Sequence, residues 1–156
     1  MKVKELKEKY SRLVKKYKLP SFEELNHAFE IDRIERDPEE LLREIRKNMM
    51  DKIIGYIRFL EMLINPSQAP PSFMLFTKNI TSAEKTSLES VYKNFIELEL
   101  ASLKIEIDYS EKEEAELIKN VFDRWTSSKE NLKRVVSFME RNWRWTPTKK
   151  QKSYLG

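Results

Sequence analysis

The residues best suited to chemistry in this chain are tryptophans and basic residues that stand close together near its C-terminus. Aromatic rings stack on bases and accept cation–π contacts, while Arg and Lys neutralise phosphates or carboxylates. This composition predicts a contact with nucleic acid or with an acidic protein. The residues concerned are Arg141, Trp143, Arg144, Trp145, Lys149, Lys150 and Lys152. The alternative is that the rings pack on their own protein and the lysines are solvated.

Basic charge is concentrated at the two ends of the chain, on either side of an acidic middle. Residues 1–18 hold eight basic and two acidic side chains, a net charge of +6, and residues 141–156 hold five basic and none acidic, a net charge of +5. Residues 19–140 hold 17 basic and 24 acidic side chains, a net charge of −7. Either the ends neutralise the middle, in the same or a neighbouring copy, or they bind a polyanion. The second alternative adds Lys2, Lys9 and Lys16 to the predicted binding residues.

Composition excludes most catalytic and metal-binding motifs. The 156 residues include two glycines, one histidine and no cysteine, whereas phosphate-binding loops need several glycines and zinc sites need several Cys or His. One enzymatic alternative remains, a Mg²⁺-dependent all-α phosphohydrolase built on carboxylates. Its residues would be Asp51, Glu61, Glu97 and Glu99. We favour a solvated role for these four, lean against an enzyme, and expect neither a cofactor nor a resident metal.

The elements that must position the basic ends begin with a long central helix, predicted from Asp37 to Pro66. Asp37 is suited to cap its start, with Pro38 at the first helical position, and Asn65 with Pro66 supplies the end. Its apolar residues advance in steps of three and four, as in a buried amphipathic helix. We interpret its one glycine, Gly55, as a packing glycine.

A narrow apolar seam in the lysine-rich N-terminal segment predicts a first helix. Its residues are Val3, Leu6, Tyr10, Leu13 and Tyr17. Docking within the chain is favoured over a homo-oligomer formed through this helix. A capping box at Ser21 opens a short second helix. The four apolar residues Phe73–Phe76 predict a compact buried plug, with a partner contact as the next alternative.

The second half of the chain predicts further helices, each opened by a capping box. One begins at Thr81 and is the second central helix; residues 103–109 alternate with period two, yet we expect them to be helical or irregular. Another begins at Ser110. A further box at Ser127-Ser128-Lys129-Glu130 predicts a break before the last helix, and a continuous helix is the alternative.

These patterns together predict an all-α fold, an irregular bundle of about six helices around two long central helices. Residues 1–145 form one domain and residues 146–156 a mobile basic tail. No membrane span or signal peptide is expected, and the lack of cysteine favours the cytoplasm. Charged residues make up 36% of the chain, which is typical of thermophilic proteins. The leading hypothesis is a non-enzymatic binding or assembly module, with the phosphohydrolase and a purely structural oligomer subunit as alternatives.

Overall fold

The structure is a computed structural model that describes residues 3–34 and 39–144. Within those residues it contains six α-helices, two 3₁₀ turns and no strand, which confirms the all-α prediction. The helices are α1 (Val3–Tyr17), α2 (Phe22–Phe29), α3 (Leu41–Ile64), α4 (Ser72–Phe76), α5 (Ser82–Ile107) and α6 (Glu111–Trp143). The 3₁₀ turns are Ile31–Arg33 and Pro66–Gln68. The proposed boundary between domain and tail lies outside the described residues and stays a prediction.

The centre of the bundle is formed by three long helices, α3, α5 and α6, which pack against one another. Helix α1 packs on α2 and α6, and the short α4 packs on α6 and α3. The sequence predicted two central helices, and the third arises because α6 continues through its predicted break. With 33 residues at a rise of about 1.5 Å each, α6 is about 50 Å long.

The continuity of α6 shows that the predicted break at Ser127 is wrong. The hydroxyl of Thr126 donates to the carbonyl of Phe122 at 2.9 Å, and that of Ser127 donates to the carbonyl of Arg124 at 3.1 Å. Both hydroxyls therefore bond back into the preceding turn and do not cap a new one. Ser128 is buried in the helix interface, 2% exposed. In sequence, a Ser-rich segment followed three residues later by a glutamate resembles a helix start. Only the packing of the segment shows whether a helix starts there or continues through it.

The start of α3 also differs from the prediction. The helix begins at Leu41 with Glu40 as its N-cap residue, and the side chain of Glu40 makes no capping hydrogen bond. The predicted capping residues Asp37 and Pro38 lie outside the described residues. The helix ends at Ile64, with Asn65 as the C-cap, close to the predicted end.

Gly55 is not a packing glycine. It lies on the exposed side of α3, and a Cβ added there would meet no atom within 4 Å. The position therefore has room for a side chain, and the conformational cost of glycine in a helix is not offset by a close contact.

Two predicted capping boxes are confirmed. The Ser21 hydroxyl accepts from the Glu24 amide at 3.1 Å while the Glu24 carboxylate accepts from the Ser21 amide at 2.8 Å. Thr81 and Glu84 form the same pair, with both distances 3.1 Å. Ser110 accepts from the amide of Glu113 at 3.3 Å and so caps the start of α6.

Helix α1 docks within its own chain. Its seam residues Leu6 and Tyr10 are fully buried, and the Tyr10 hydroxyl donates to the carbonyl of Pro20 at 2.6 Å. The Tyr10 ring also meets Phe22 edge to face, with 6.1 Å between ring centroids. The part of the seam around Leu6 and Tyr10 is thus occupied by α2 and the neighbouring core, whereas Val3 is exposed.

Helix α5 is apolar on two opposite faces. Leu98 and Ile105 point into the core, whereas Leu103 and Ile107 are 54% and 86% exposed. The period-two alternation of residues 103–109 comes from these two faces of one helix, since α5 continues to Ile107. Residues 103–107 are thus helical, while Asp108 is the C-cap in an extended conformation, in accord with the expectation of a helical or irregular segment.

Candidate binding surface

The predicted binding residues of the N-terminal segment lie on α1. Lys9 is exposed, and Lys2 lies outside the described residues. The ammonium group of Lys16 is 3.3 Å from Glu111 at the start of α6, and the Tyr17 hydroxyl donates to the same carboxylate oxygen at 2.5 Å. The hydrogen bonds from Tyr17 and Lys16 lower the pKa of Glu111 below its ordinary value. Lys16 therefore fastens α1 to α6.

The predicted binding residues of the C-terminal segment lie at the other end of α6. One nitrogen of Arg141 bonds both carboxylate oxygens of Glu84, at 2.8 and 3.0 Å, and Arg144 is 3.5 Å from Glu140. Trp143 is 64% exposed. The remaining predicted residues Trp145, Lys149, Lys150 and Lys152 lie outside the described residues.

The two basic segments meet opposite ends of α6. Lys16 contacts Glu111, the first residue of the helix, and Trp143 is the last. Thirty-two steps of about 1.5 Å separate these two positions by roughly 48 Å. Lys16 and Trp143 therefore do not belong to one compact site.

Around Trp143 the structure forms an apolar groove between α4 and α6, with a volume of about 390 Å³. We call it the α4–α6 groove. It is lined by Ser72, Phe76, Val136, Met139, Glu140 and Trp143. A pocket of this size with mostly apolar walls suits a few side chains of a partner.

A row of aromatic rings supports this groove. Phe73 meets Phe59 of α3 at 6.1 Å and Phe76 at 5.4 Å, and Phe76 meets Trp143 at 6.0 Å between ring centroids. The side chain of Asn142 donates to the carbonyl of Phe76 at 2.6 Å and so ties α4 to α6. The position of Trp143 is therefore fixed from the core outward.

The apolar segment Phe73–Phe76 is only partly the buried plug that its sequence predicted. One helical turn points Phe73 and Phe76 inward, where they are half-buried. Met74 and Leu75 point outward and are 60% and 41% exposed. A single turn cannot bury four consecutive residues on one flank, so this end of the bundle retains exposed apolar surface.

The apolar spacing of the last helix predicts an inward seam that includes Val136 and Met139, and this spacing does not reveal their part in the groove. Val135 is fully buried, which leaves its neighbour Val136 45% exposed. The sequence does indicate that one of these two valines is exposed, because two consecutive residues of a helix cannot both face one narrow seam.

The most buried polar cluster joins the three central helices. Arg46 of α3 donates from Nε and Nη2 to the two oxygens of Glu114, at 2.7 and 3.0 Å, and from Nη1 to Ser102 of α5 at 2.9 Å. It also pairs with Glu106. Arg46 is 2% exposed and Glu114 is not exposed at all. Each ion has its partner, so the cluster holds the three helices together and offers no free group for catalysis or ligand binding.

The four carboxylates of the phosphohydrolase alternative do not gather in one place. Glu97 pairs with Arg124 at 2.6 Å, and Glu61 accepts from Tyr92 at 3.2 Å. No group of three or more His, Asp or Glu side chains suited to a metal occurs within residues 3–34 and 39–144. In the same ranges, no helix is both long and apolar enough to cross a lipid bilayer.

Comparison with known proteins adds no functional assignment, since no protein family, curated protein or solved structure matches this chain.

Proposed function

We propose that this protein is a non-enzymatic helical binding module that takes an acidic, amphipathic protein segment at the α4–α6 groove. The observation that carries the proposal is the large exposed fraction of Trp143, 64%, beside apolar groove walls. Exposed apolar patches with a tryptophan at their centre are typical of protein-binding surfaces. The cysteine-free chain suits a reducing compartment, and we place this function in the cytoplasm.

Two features favour a protein partner over a nucleic acid. The walls of the groove are mostly apolar, whereas binding of nucleic acid depends on cations that neutralise phosphates. The nearby cations Arg141 and Arg144 are held by Glu84 and Glu140, so a phosphate would have to displace a carboxylate. An apolar helix face meets neither obstacle.

The preferred partner charge follows from the chain beyond the groove. Residues 145–156 follow Trp143 and Arg144 in the chain and contain three lysines and no acidic residue, and on this composition we propose a partner of negative charge. A helix with apolar residues on one face and Glu or Asp on the other satisfies both conditions.

Two synthetic helical peptides test this proposal. Both are about 16 residues long, enough to form a helix, and share one leucine face; the first carries Glu on its polar face and the second Lys. Fluorescence anisotropy of labelled peptides should show saturable binding of the Glu peptide and much weaker binding of its Lys twin. Equal affinity for both, or no saturation with either, contradicts the proposal.

A contact with single-stranded nucleic acid is the second candidate, favoured by an exposed tryptophan next to Arg144, whose side chain is 79% exposed. A fluorescent oligonucleotide titrated at several salt concentrations separates it from the first. Binding that falls steeply with salt, together with no binding of the Glu peptide, would favour nucleic acid. A salt-independent signal would exclude it.

A further inference from the structure

The outer face of α5 carries a second apolar surface, remote from the α4–α6 groove. It consists of Ile96, Leu100, Leu103 and Ile107, which we call the outer stripe. These residues are separated by steps of four, three and four, the spacing of a coiled-coil seam. The residues that α5 buries in the core lie on the opposite side of the helix and include Val91, Phe95, Leu98 and Ile105.

The bundle leaves three of the four residues of the outer stripe uncovered, whereas Ile96 is half-buried against the core. Helix α5 packs on α3 and α6 through its buried side, while Leu100, Leu103 and Ile107 are 55%, 54% and 86% exposed. Single exposed leucines are ordinary on a protein surface, but a row of them at seam spacing indicates a contact.

Two charged residues flank the outer stripe on opposite sides. In heptad terms Leu100 and Ile107 occupy a positions and Leu103 a d position, which puts Glu99 at g and Lys104 at the following e. Among the described residues, neither Glu99 nor Lys104 has an ion-pair partner in its own chain. When two such helices pair in parallel, g of one helix lies beside the next e of the other. Two copies of α5 would then form two identical Glu99–Lys104 pairs.

The antiparallel orientation is less favourable for the charges beside the stripe. It would bring Glu99 of one copy beside Glu106 of the other, two like charges. Lys93 and Glu89 take the seam positions before Ile96, and both are exposed. In a parallel pair each of them would face its own counterpart, so the proposed contact begins at Ile96 and does not include the preceding turn.

We propose that two copies of this chain associate in parallel through the outer stripes of their α5 helices. The contact is isologous, so the same residues serve both copies about a two-fold axis. One helix face per copy is a small interface, and the expected behaviour is a concentration-dependent equilibrium between monomer and dimer.

Sedimentation velocity over a wide range of protein concentrations tests the interface. The unmodified chain should shift from the monomer towards twice its mass, and Leu103→Glu should raise the dimer dissociation constant by about tenfold or more. Val3→Glu is the matched control, because Val3 is an exposed apolar residue on α1, 44% exposed. A chain that stays monomeric throughout, or a dimer unaffected by Leu103→Glu, overturns the proposal.

A charge exchange tests the parallel orientation and does not depend on how well Leu103→Glu folds. Glu99→Lys and Lys104→Glu should each weaken the dimer, and the double variant should restore it, since the pairs are re-formed with reversed sign. A double variant that dimerises no better than the weaker single variant overturns the parallel pairing. Peptide binding at the α4–α6 groove should be unchanged in all of these variants, which keeps the two proposals separable.

Discussion

Arg46 is the residue on which the packing of the three central helices most depends. Its guanidinium reaches one carboxylate from α6 and two groups from α5, and it is 2% exposed. Two ions held in this way are costly to bury, and their bonds to each other compensate for the water they lose. Removing both ions should therefore cost less than the sum of the costs of removing each alone.

We expect Arg46→Met to lower the free energy of unfolding by about 3–5 kcal/mol, because it leaves the buried carboxyl group of Glu114 without its partner. The double variant Arg46→Met/Glu114→Leu should be less destabilised than the sum of its single variants. Urea denaturation of the four proteins measures this difference. Additive losses would show that the two ions do not compensate each other.

Gly55 offers a change in the opposite direction. An alanine Cβ would meet nothing within 4 Å, so Gly55→Ala should stabilise the protein by about 0.5–1 kcal/mol through better helix propensity. The midpoint temperature of thermal unfolding should rise by about 2–4 °C for each kcal/mol of added stability. A lower midpoint would mean that α3 needs the glycine for a conformation that alanine cannot adopt.

At the scale of elements, hydroxyl residues that look alike in sequence have different roles. Thr81 caps the start of α5, whereas Ser127 lies within α6 and bonds back to Arg124. Thr81→Ala should cost about 1 kcal/mol. Ser127→Ala should be neutral or stabilise by a few tenths of a kcal/mol, since alanine is the better helix former. Chemical denaturation of both variants measures this contrast; a loss near 1 kcal/mol for Ser127→Ala would indicate a helix start at that residue.

At the scale of the whole molecule, ion pairs between helices should make stability depend on pH. Hydrogen bonds from Arg141 lower the pKa of Glu84, those from Arg46 lower the pKa of Glu106, and both lie below the ordinary value of 4.5. A carboxylate with a depressed pKa stabilises the folded state above pH 4.5 and loses that effect as the pH falls through its folded-state pKa.

The urea midpoint should thus be nearly level from neutral pH down to about pH 5 and fall below pH 4.5. Glu106→Gln should reduce the steepness of this fall, because one of the carboxylates that bind protons on unfolding is gone. Denaturation curves at a series of pH values measure both effects. If the urea midpoint of Glu106→Gln falls with the same slope below pH 4.5, the Arg46–Glu106 ion pair does not contribute to the pH dependence of stability.

Much of this fold follows from sequence pattern, because periodicity and capping boxes are local. The boxes at Ser21 and Thr81 were correctly predicted, and so was the all-α class. The sequence pattern favoured a break in α6 over a continuous helix, because a buried serine such as Ser128 cannot be distinguished in sequence from a capping serine. The distance between Lys16 and Trp143, and the exposure of Val136, depend on how distant segments pack. These long-range relations are absent from local patterns.

The affinity of the Glu peptide for Val136→Glu, compared with its affinity for Val3→Glu, tests whether the α4–α6 groove is the binding site. The two valines are matched, 45% and 44% exposed, and only Val136 lines the α4–α6 groove. Burying a valine is worth about 1.5–3 kcal/mol, and about 1.4 kcal/mol is tenfold in affinity. We therefore expect Val136→Glu to weaken binding of the Glu peptide about tenfold or more, and Val3→Glu to leave the affinity unchanged. Equal affinity for the two variants would contradict binding at the groove.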